Sequence, residues 1–234
     1  MKSGRMEDTT KLNKSRLGTR EYWEEFYRVE KRNFEKDGED IGECWFSDTN
    51  ATEKMVEFLK EVAAHGYLKE SCSVLDVGSG NGHLLFELVE AGFCGRMVGV
   101  DYAEQSVEFA GEVLKRRYGD KAKQVKFEVG DVFSGEWQPG RFDVVLDKGT
   151  LDAIALTEEG RTAVEKYASV VDRVLEHNGV FLITSCNFTE EELVEIVEGA
   201  SSLRKWRHIE YPAFVFGGVK GSVLCSVAFV KDSR

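Results

Sequence analysis

The chain has 234 residues, 42% hydrophobic and 31% charged, with only two prolines; this suits one domain with a proper core and excludes a disordered chain. Thirty-one Lys and Arg stand against 42 Asp and Glu, a net charge of −11, which argues against a nucleic-acid binder and favours cationic partners. No apolar run approaches the roughly 20 residues that span a bilayer, and five scattered cysteines with four dispersed histidines predict neither a disulfide framework nor a metal site. The polar N-terminus lacks a signal-peptide pattern, so a cytoplasmic protein with reduced thiols is expected, and a monomer.

Residues 1–16 carry five Lys or Arg and almost nothing apolar, and read as a mobile tail. From Thr19 to about Lys36 the pattern is helical, with Tyr22, Trp23, Phe26, Tyr27 and Phe34 set among charges. A break rich in Gly and acids follows and ends in Cys44, Trp45 and Phe46. Met55, Phe58, Leu59, Val62 and Ala63 then form one apolar stripe of a second helix, with Asn50 and Glu53 as its capping pair and Gly66 as its stop. Beyond this, short apolar runs alternate with helical ones. Strands are expected at 73–77, 96–100, 126–129, 142–147 and 179–185, and helices after the first, across 103–116 and over 162–175. Apolar strands alternating with helices mean a parallel sheet covered on both faces. The runs 205–211 and 222–230, joined by a glycine-rich turn, read as antiparallel. The expected fold is Rossmann-like α/β, mostly parallel with an antiparallel final strand. It forms one domain over 17–234, with a helical cover (17–66) and a sheet core (73–234).

The strongest chemical signal is VLDVGSGNGHLLFEL at 74–88, where Gly78, Gly80 and Gly82 lie between a strand and a helix. Glycines there let the backbone turn sharply and approach a ligand at the strand tip. The dinucleotide fingerprint would need a glycine where His83 stands, and no lysine follows as in a Walker loop. Asp76 beside the loop is unhelpful to a pyrophosphate but suits a cofactor carrying an ammonium and a sulfonium, as S-adenosylmethionine does. Asp101 closes the second strand and can accept from ribose hydroxyls, or cap the next helix. Asp131 follows the third strand; it can accept from the adenine amino group while Tyr102 and Val132 clamp the ring, or serve the turn. Asp147 ends the fourth strand and points, on this reading, at the reactive end of the cofactor. Asn187 and Phe188 join the same mouth. Asp152 reads as a cap or loop residue, and His83 as a surface or packing residue.

Gly78, Gly80, Asp101 and Asp131 together resemble the class I, seven-β-strand S-adenosylmethionine-dependent methyltransferases. LGTREYWEEFYRVE (17–30), IGECWF (41–46), DKGTLDAIAL (147–156), FLITSCNFT (181–189) and FVFGGVKG (214–221) are similar, within that class, to the type-2 branch of the translation elongation factor 1-alpha lysine methyltransferases. The resemblance implies a seven-stranded sheet and methyl transfer from S-adenosylmethionine, leaving S-adenosylhomocysteine, to a lysine of that elongation factor. It implies a cofactor site of Asp76, Gly78, Gly80, Asp101, Tyr102, Asp131, Val132 and Asp147, covered by Trp45. Asp147 is the catalytic candidate, attracting and orienting the amine rather than acting as a base. Trp45, Phe46 and Phe188 either grip the alkylammonium or pack the core. The substrate lysine, with a pKa of about 10.4, must be neutralised at a cost of roughly 4–5 kcal/mol. A small-molecule methyltransferase and a non-catalytic cofactor-holding module are the alternatives.

Overall fold

In the computed structural model, residues 14–212, 214–216, 219–221 and 223–231 are described. Most of the expected tail, the tip of the expected glycine turn (217–218), position 222 and the last three residues lie outside them. Residues 14–16 are not separate from the domain: the Ser15 amide donates to the Leu156 carbonyl at 3.2 Å and Lys14 pairs with Glu158 at 3.0 Å.

Two helices precede the sheet. Helix α1, Arg20–Lys36, starts where the Thr19 hydroxyl accepts from the Tyr22 amide and buries Tyr27 and Phe34. Helix α2 spans Ala51–Ala64. The expected Asn50 cap is not made: Asn50 takes a left-handed backbone (φ 53°), which turns its side chain away from the helix amides. Strand β1 (Val74–Val77) leads to α3 (His83–Glu90), β2 (Met97–Asp101) to α4 (Glu104–Val113), and β3 (Val125–Val129) to β4 (Phe142–Lys148) through a loop with no helix. Helices α5 (Thr150–Ala155) and α6 (Gly160–Val174) cross to β5 (Leu175–Ser185). Then come α7 (Glu190–Ala200), β6 (Leu203–Ile209), the short strands β7 (Phe214–Phe216) and β8 (Val219–Gly221), and β9 (Cys225–Lys231).

Seven strands form one sheet in the order β3-β2-β1-β4-β5-β9-β6. The first five pair in parallel, and β9 lies antiparallel between β5 and β6. The expected glycine turn is a separate hairpin, β7 with β8. Because strand side chains alternate between faces, the core divides in two. Leu75, Val77, Val145, Phe181 and Ile183 pack under α5, α6 and α7, whereas Val74, Val144, Leu146 and Leu182 pack under α2 and α3. A third cluster, Tyr27, Phe34, Phe86 and Phe109, fastens α1 to the helices beside β2. Phe34 and Phe109 meet edge to face at 5.7 Å.

Candidate active site

At the carboxyl ends of the parallel strands lies a cavity of about 990 Å³, the place where open α/β sheets hold ligands. Its floor is the loop after β1. Gly78, Gly80 and Gly82 all have positive φ (66°, 55° and 80°), a region closed to most side chains. A Cβ on Gly80 would lie 2.5 Å from the Tyr27 hydroxyl, and one on Gly78 would strike Thr150. The loop is therefore pressed between the N-terminal cover and α5, with its backbone facing the cavity.

Each acid's place follows from its strand. Asp101 ends β2; its carboxylate accepts from the Gly80 amide at 3.1 Å and the Ala103 amide at 2.9 Å. Burial raises its pKa against those two amides. Both oxygens keep lone pairs for further donors. Asp76 is 3% exposed and burial pushes its carboxyl up to about 8, with Lys148 opposing and Asp147 and Asp101 adding to the rise. Asp131 lines the cavity and also accepts from the Phe133 amide at 2.9 Å, so a turn role and a cavity position coexist. Trp45, Gly78, Gly80, Tyr102 and Val132 line the same cavity.

Asp147 does not reach it. It is registered beside Val77, so it leaves the sheet on the α5–α6 face, opposite to Asp76. There it is 0% exposed and accepts from the Thr150 amide at 2.8 Å and the Leu151 amide at 3.1 Å. Burial pushes it up to about 7, against the Tyr167 hydroxyl and those amides. The expected reactive-end acid is instead the anchor of α5, and the expectation is corrected on this point. Of the two readings of Phe188, core packing is the one observed: it is buried in the core and does not join the mouth, where Cys186 and Asn187 line the cavity.

Several cavity residues were not assigned to the site from the sequence, Asp152 and His83 among them, which read there as a cap or loop residue and as a surface or packing residue. Lys148 follows Asp147 and by strand alternation points to the Asp76 side, where its ammonium donates to the Trp45 carbonyl at 2.9 Å. Asp152 accepts from the Ser185 hydroxyl at 2.5 Å and from the Cys186 and Asn187 amides at 3.0 and 3.1 Å, so it shapes the loop after β5. Tyr27 and Trp23 come from α1, and His83 opens α3 beside Cys44, 3.6 Å from its sulfur. Cys44 feels burial pushing its thiol up, but the His83 contact and the Lys148 charge outweigh it and hold the thiol below its usual value. The only available signals for these were strand period and helix face, which name a side but not a partner across the chain.

The N-terminal strap is fastened through its backbone. Asn81 donates to the carbonyls of Ile41 at 2.9 Å and Glu43 at 3.2 Å, and Lys148 takes that of Trp45. Trp45 packs on Trp23 at 5.5 Å. The indole nitrogen of Trp45 and the Ser79 hydroxyl are buried at the cavity wall without a hydrogen-bond partner among the described residues. Buried donors of this kind are rare unless a ligand or water completes them. Acids against a cationic moiety, free carboxylate lone pairs against ribose hydroxyls and a glycine floor fit S-adenosylmethionine.

Residues 68–218 match the Methyltransferase domain family. The chain is 48% identical over 232 residues to protein-lysine N-methyltransferase EFM4 of Saccharomyces cerevisiae, covering 97% of this chain and 100% of that one. It is 36% identical over 221 residues to human EEF1A lysine methyltransferase 2, covering 93% and 87%. In backbone it is similar to magnesium protoporphyrin IX methyltransferase of Synechocystis, determined with bound SAM (TM-score 0.54, 19% identity, 88% of this chain and 97% of that one). A SAM-dependent methyltransferase of Methanosarcina mazei is also similar (TM-score 0.56, 18% identity, 73% and 97%). These two likenesses speak for the fold.

Proposed function

Because the chain belongs to the Methyltransferase domain family and is a protein-lysine N-methyltransferase by full-length kinship, we propose that it methylates a lysine of translation elongation factor 1-alpha. The observation that carries the substrate is the 48% identity along essentially the whole of EFM4, together with the kinship to EEF1A lysine methyltransferases. The cofactor in this reading is S-adenosylmethionine, which supplies an electrophilic methyl group on a sulfonium. Asp101 accepts from the ribose, Asp76 faces the cationic moiety, and Tyr102, Asp131 and Val132 surround the adenine. The Gly78–Gly80 backbone forms the floor, and Trp45 closes the cavity from the strap.

The chain's task is then positioning. Nucleophile and methyl carbon held in line at contact distance supply much of the acceleration such a transfer needs, and no leaving-group protonation is required. Trp45 and Phe46 at the strand-tip end offer aromatic faces to an alkylammonium. All five cysteines are free, and no helix among the described residues is long and apolar enough to cross a membrane. We place the enzyme in the cytoplasm as a monomer that engages its protein substrate directly.

Labelled S-adenosylmethionine added to a lysate of the source cell tests this. One labelled protein band at the position of elongation factor 1-alpha, lost with Gly80→Arg, is the expected result. Label confined to the small-molecule fraction would move the acceptor to a metabolite and leave the fold intact.

A further inference from the structure

Lys148 ends β4. Leu146 pairs with Asp76 in the sheet, so Lys148, two residues on, leaves the same face as Asp76, just beyond it. Its ammonium is held at two points, the Trp45 carbonyl at 2.9 Å and the Phe46 ring, 5.8 Å from the centroid. It forms no ion pair among the described residues. Its charge reaches three groups in the wall, opposing the burial-driven rise of Asp76, helping to hold Cys44 down and acting against the rise that the Cys44 contact gives His83. The ammonium therefore sits beside Trp45 and Phe46 at the strand-tip end of the cavity, where Lys148 is registered next to Thr184 of β5. This is the end away from Asp101 and Asp131, which are assigned to ribose and adenine.

A lysine that enters this end carries a proton at neutral pH, and only its neutral form has a lone pair to attack with. A fixed cation nearby disfavours the protonated form. Asp76 does not cancel that cation once a cationic ligand engages its carboxylate, so Lys148 is then left without a counter-charge. We propose that the fixed Lys148 ammonium holds the incoming substrate lysine in its neutral, nucleophilic form. The proposal rests on the lysine methyltransferase reading above. The amine first gives its proton to water. Its lone pair then forms the new N–C bond as the S–C bond breaks, and the positive charge passes from sulfur to nitrogen. The methylated ammonium releases a proton to water on departure or before a second transfer. Lysine-for-arginine exchange would keep the charge, whereas methionine keeps the chain length and removes it.

The titratable groups that feel the Lys148 charge are Cys44 from the strap, Asp76 from β1 and His83 from α3; Glu43, Asp152 and Cys186 line the same cavity, and Asp147 lies across the sheet. Asp76, up to about 8, titrates within the same range and rises further when the Lys148 charge is removed, so the variants are compared at saturating S-adenosylmethionine, whose cationic moiety favours ionised Asp76 in all of them.

The test is kcat at saturating purified elongation factor 1-alpha from pH 6.5 to 10, whose limb reports the amine in the enzyme-bound state, for wild type, Lys148→Arg, Lys148→Met and Lys148→Gln. S-adenosylhomocysteine affinity is measured on each by calorimetry. Both neutral variants should shift the limb reporting amine deprotonation upward by about one pH unit, a tenfold loss at pH 7.5 that recovers at high pH. The arginine variant should keep the wild-type limb, and product affinity should stay within about threefold. A limb that does not move in either folded neutral variant overturns the proposal. So does a tenfold loss of S-adenosylhomocysteine affinity with an unmoved limb, which would make Lys148 a partner of the cofactor carboxylate. A wild-type enzyme inactive on the factor at every pH, yet active on a small amine, would overturn the substrate reading and this proposal with it.

Discussion

Asp101 has both carboxylate oxygens tied to backbone amides, one in its own turn and one in the glycine loop. The acid thus holds the floor of the cavity in shape while keeping lone pairs for a ligand. Asp101→Ala should weaken S-adenosylhomocysteine binding about ten- to hundredfold, the scale of roughly 1.5–3 kcal/mol for a charge-assisted hydrogen bond; an unchanged dissociation constant by calorimetry would reduce it to a loop anchor. Asp147 makes the opposite case. Asp147→Asn keeps an acceptor for the Thr150 amide and should leave product affinity within about threefold, while stability falls by about 1 kcal/mol for the weakened bond to Leu151. A tenfold loss of affinity would return Asp147 to the cavity.

Helix α4 begins without a side-chain cap of its own. Glu24 of α1 fills that place, accepting from the Glu104 and Gln105 amides at 3.0 Å each. Those amides outweigh burial and hold the Glu24 carboxyl below its usual value, in keeping with an anion at a helix N-terminus. The same helix carries Trp23 and Tyr27 to the cavity wall. Glu24→Ala should therefore cost about 1–2 kcal/mol, as a lost cap does, and also weaken product binding severalfold; a loss of melting temperature with binding intact would separate the two roles. Such cross-chain caps explain what was legible beforehand. The elements, the parallel sheet with its antiparallel finish and the glycine loop were readable because period and turn chemistry are local. Asp147 was misplaced although Val77 and Asp147 lie in strands whose alternation could be counted, because the relative register of β1 and β4 is a tertiary fact. Lys148 and Glu24 were passed over, and the distant loop that Asp152 holds was not foreseen, for the same reason: each acts on a segment distant in sequence. Phe188 looked available for the mouth, but the capping box of α7 at Thr189 and Glu192 turns the chain so that its ring packs inward.

Across the whole molecule, burial leaves the folded protein holding protons that the unfolded chain releases near pH 4. Asp76 is raised to about 8 and Asp147 to about 7, and Asp101 and Asp152 also rise. Between about pH 4 and 8 the folded state binds more protons, so stability falls as pH rises. His83, raised first by its contact with Cys44, acts in the same sense: its contribution is full below about 6.5 and is lost as pH rises through its folded value. Glu24 and Asp172 are lowered and matter only at acid pH, below their ordinary values. The ligand-free protein should lose roughly 3–5 °C of melting temperature per pH unit for each retained proton between pH 5 and 8. Saturating S-adenosylmethionine should flatten that slope by favouring ionised Asp76. A melting temperature that climbs over this range without ligand would contradict the burial argument. One feature of the strap bears on descent rather than on chemistry. Asn81 and Lys148 grip it by the main-chain carbonyls of Ile41, Glu43 and Trp45, which every amino acid carries, so substitutions at those three positions keep the gripped atoms, while Gly42 at φ 81° holds the turn between them. Lineages can then redraw the rim that meets a protein partner while inheriting the closure unchanged, and new specificities can arise there without first passing through an open, unlatched ancestor.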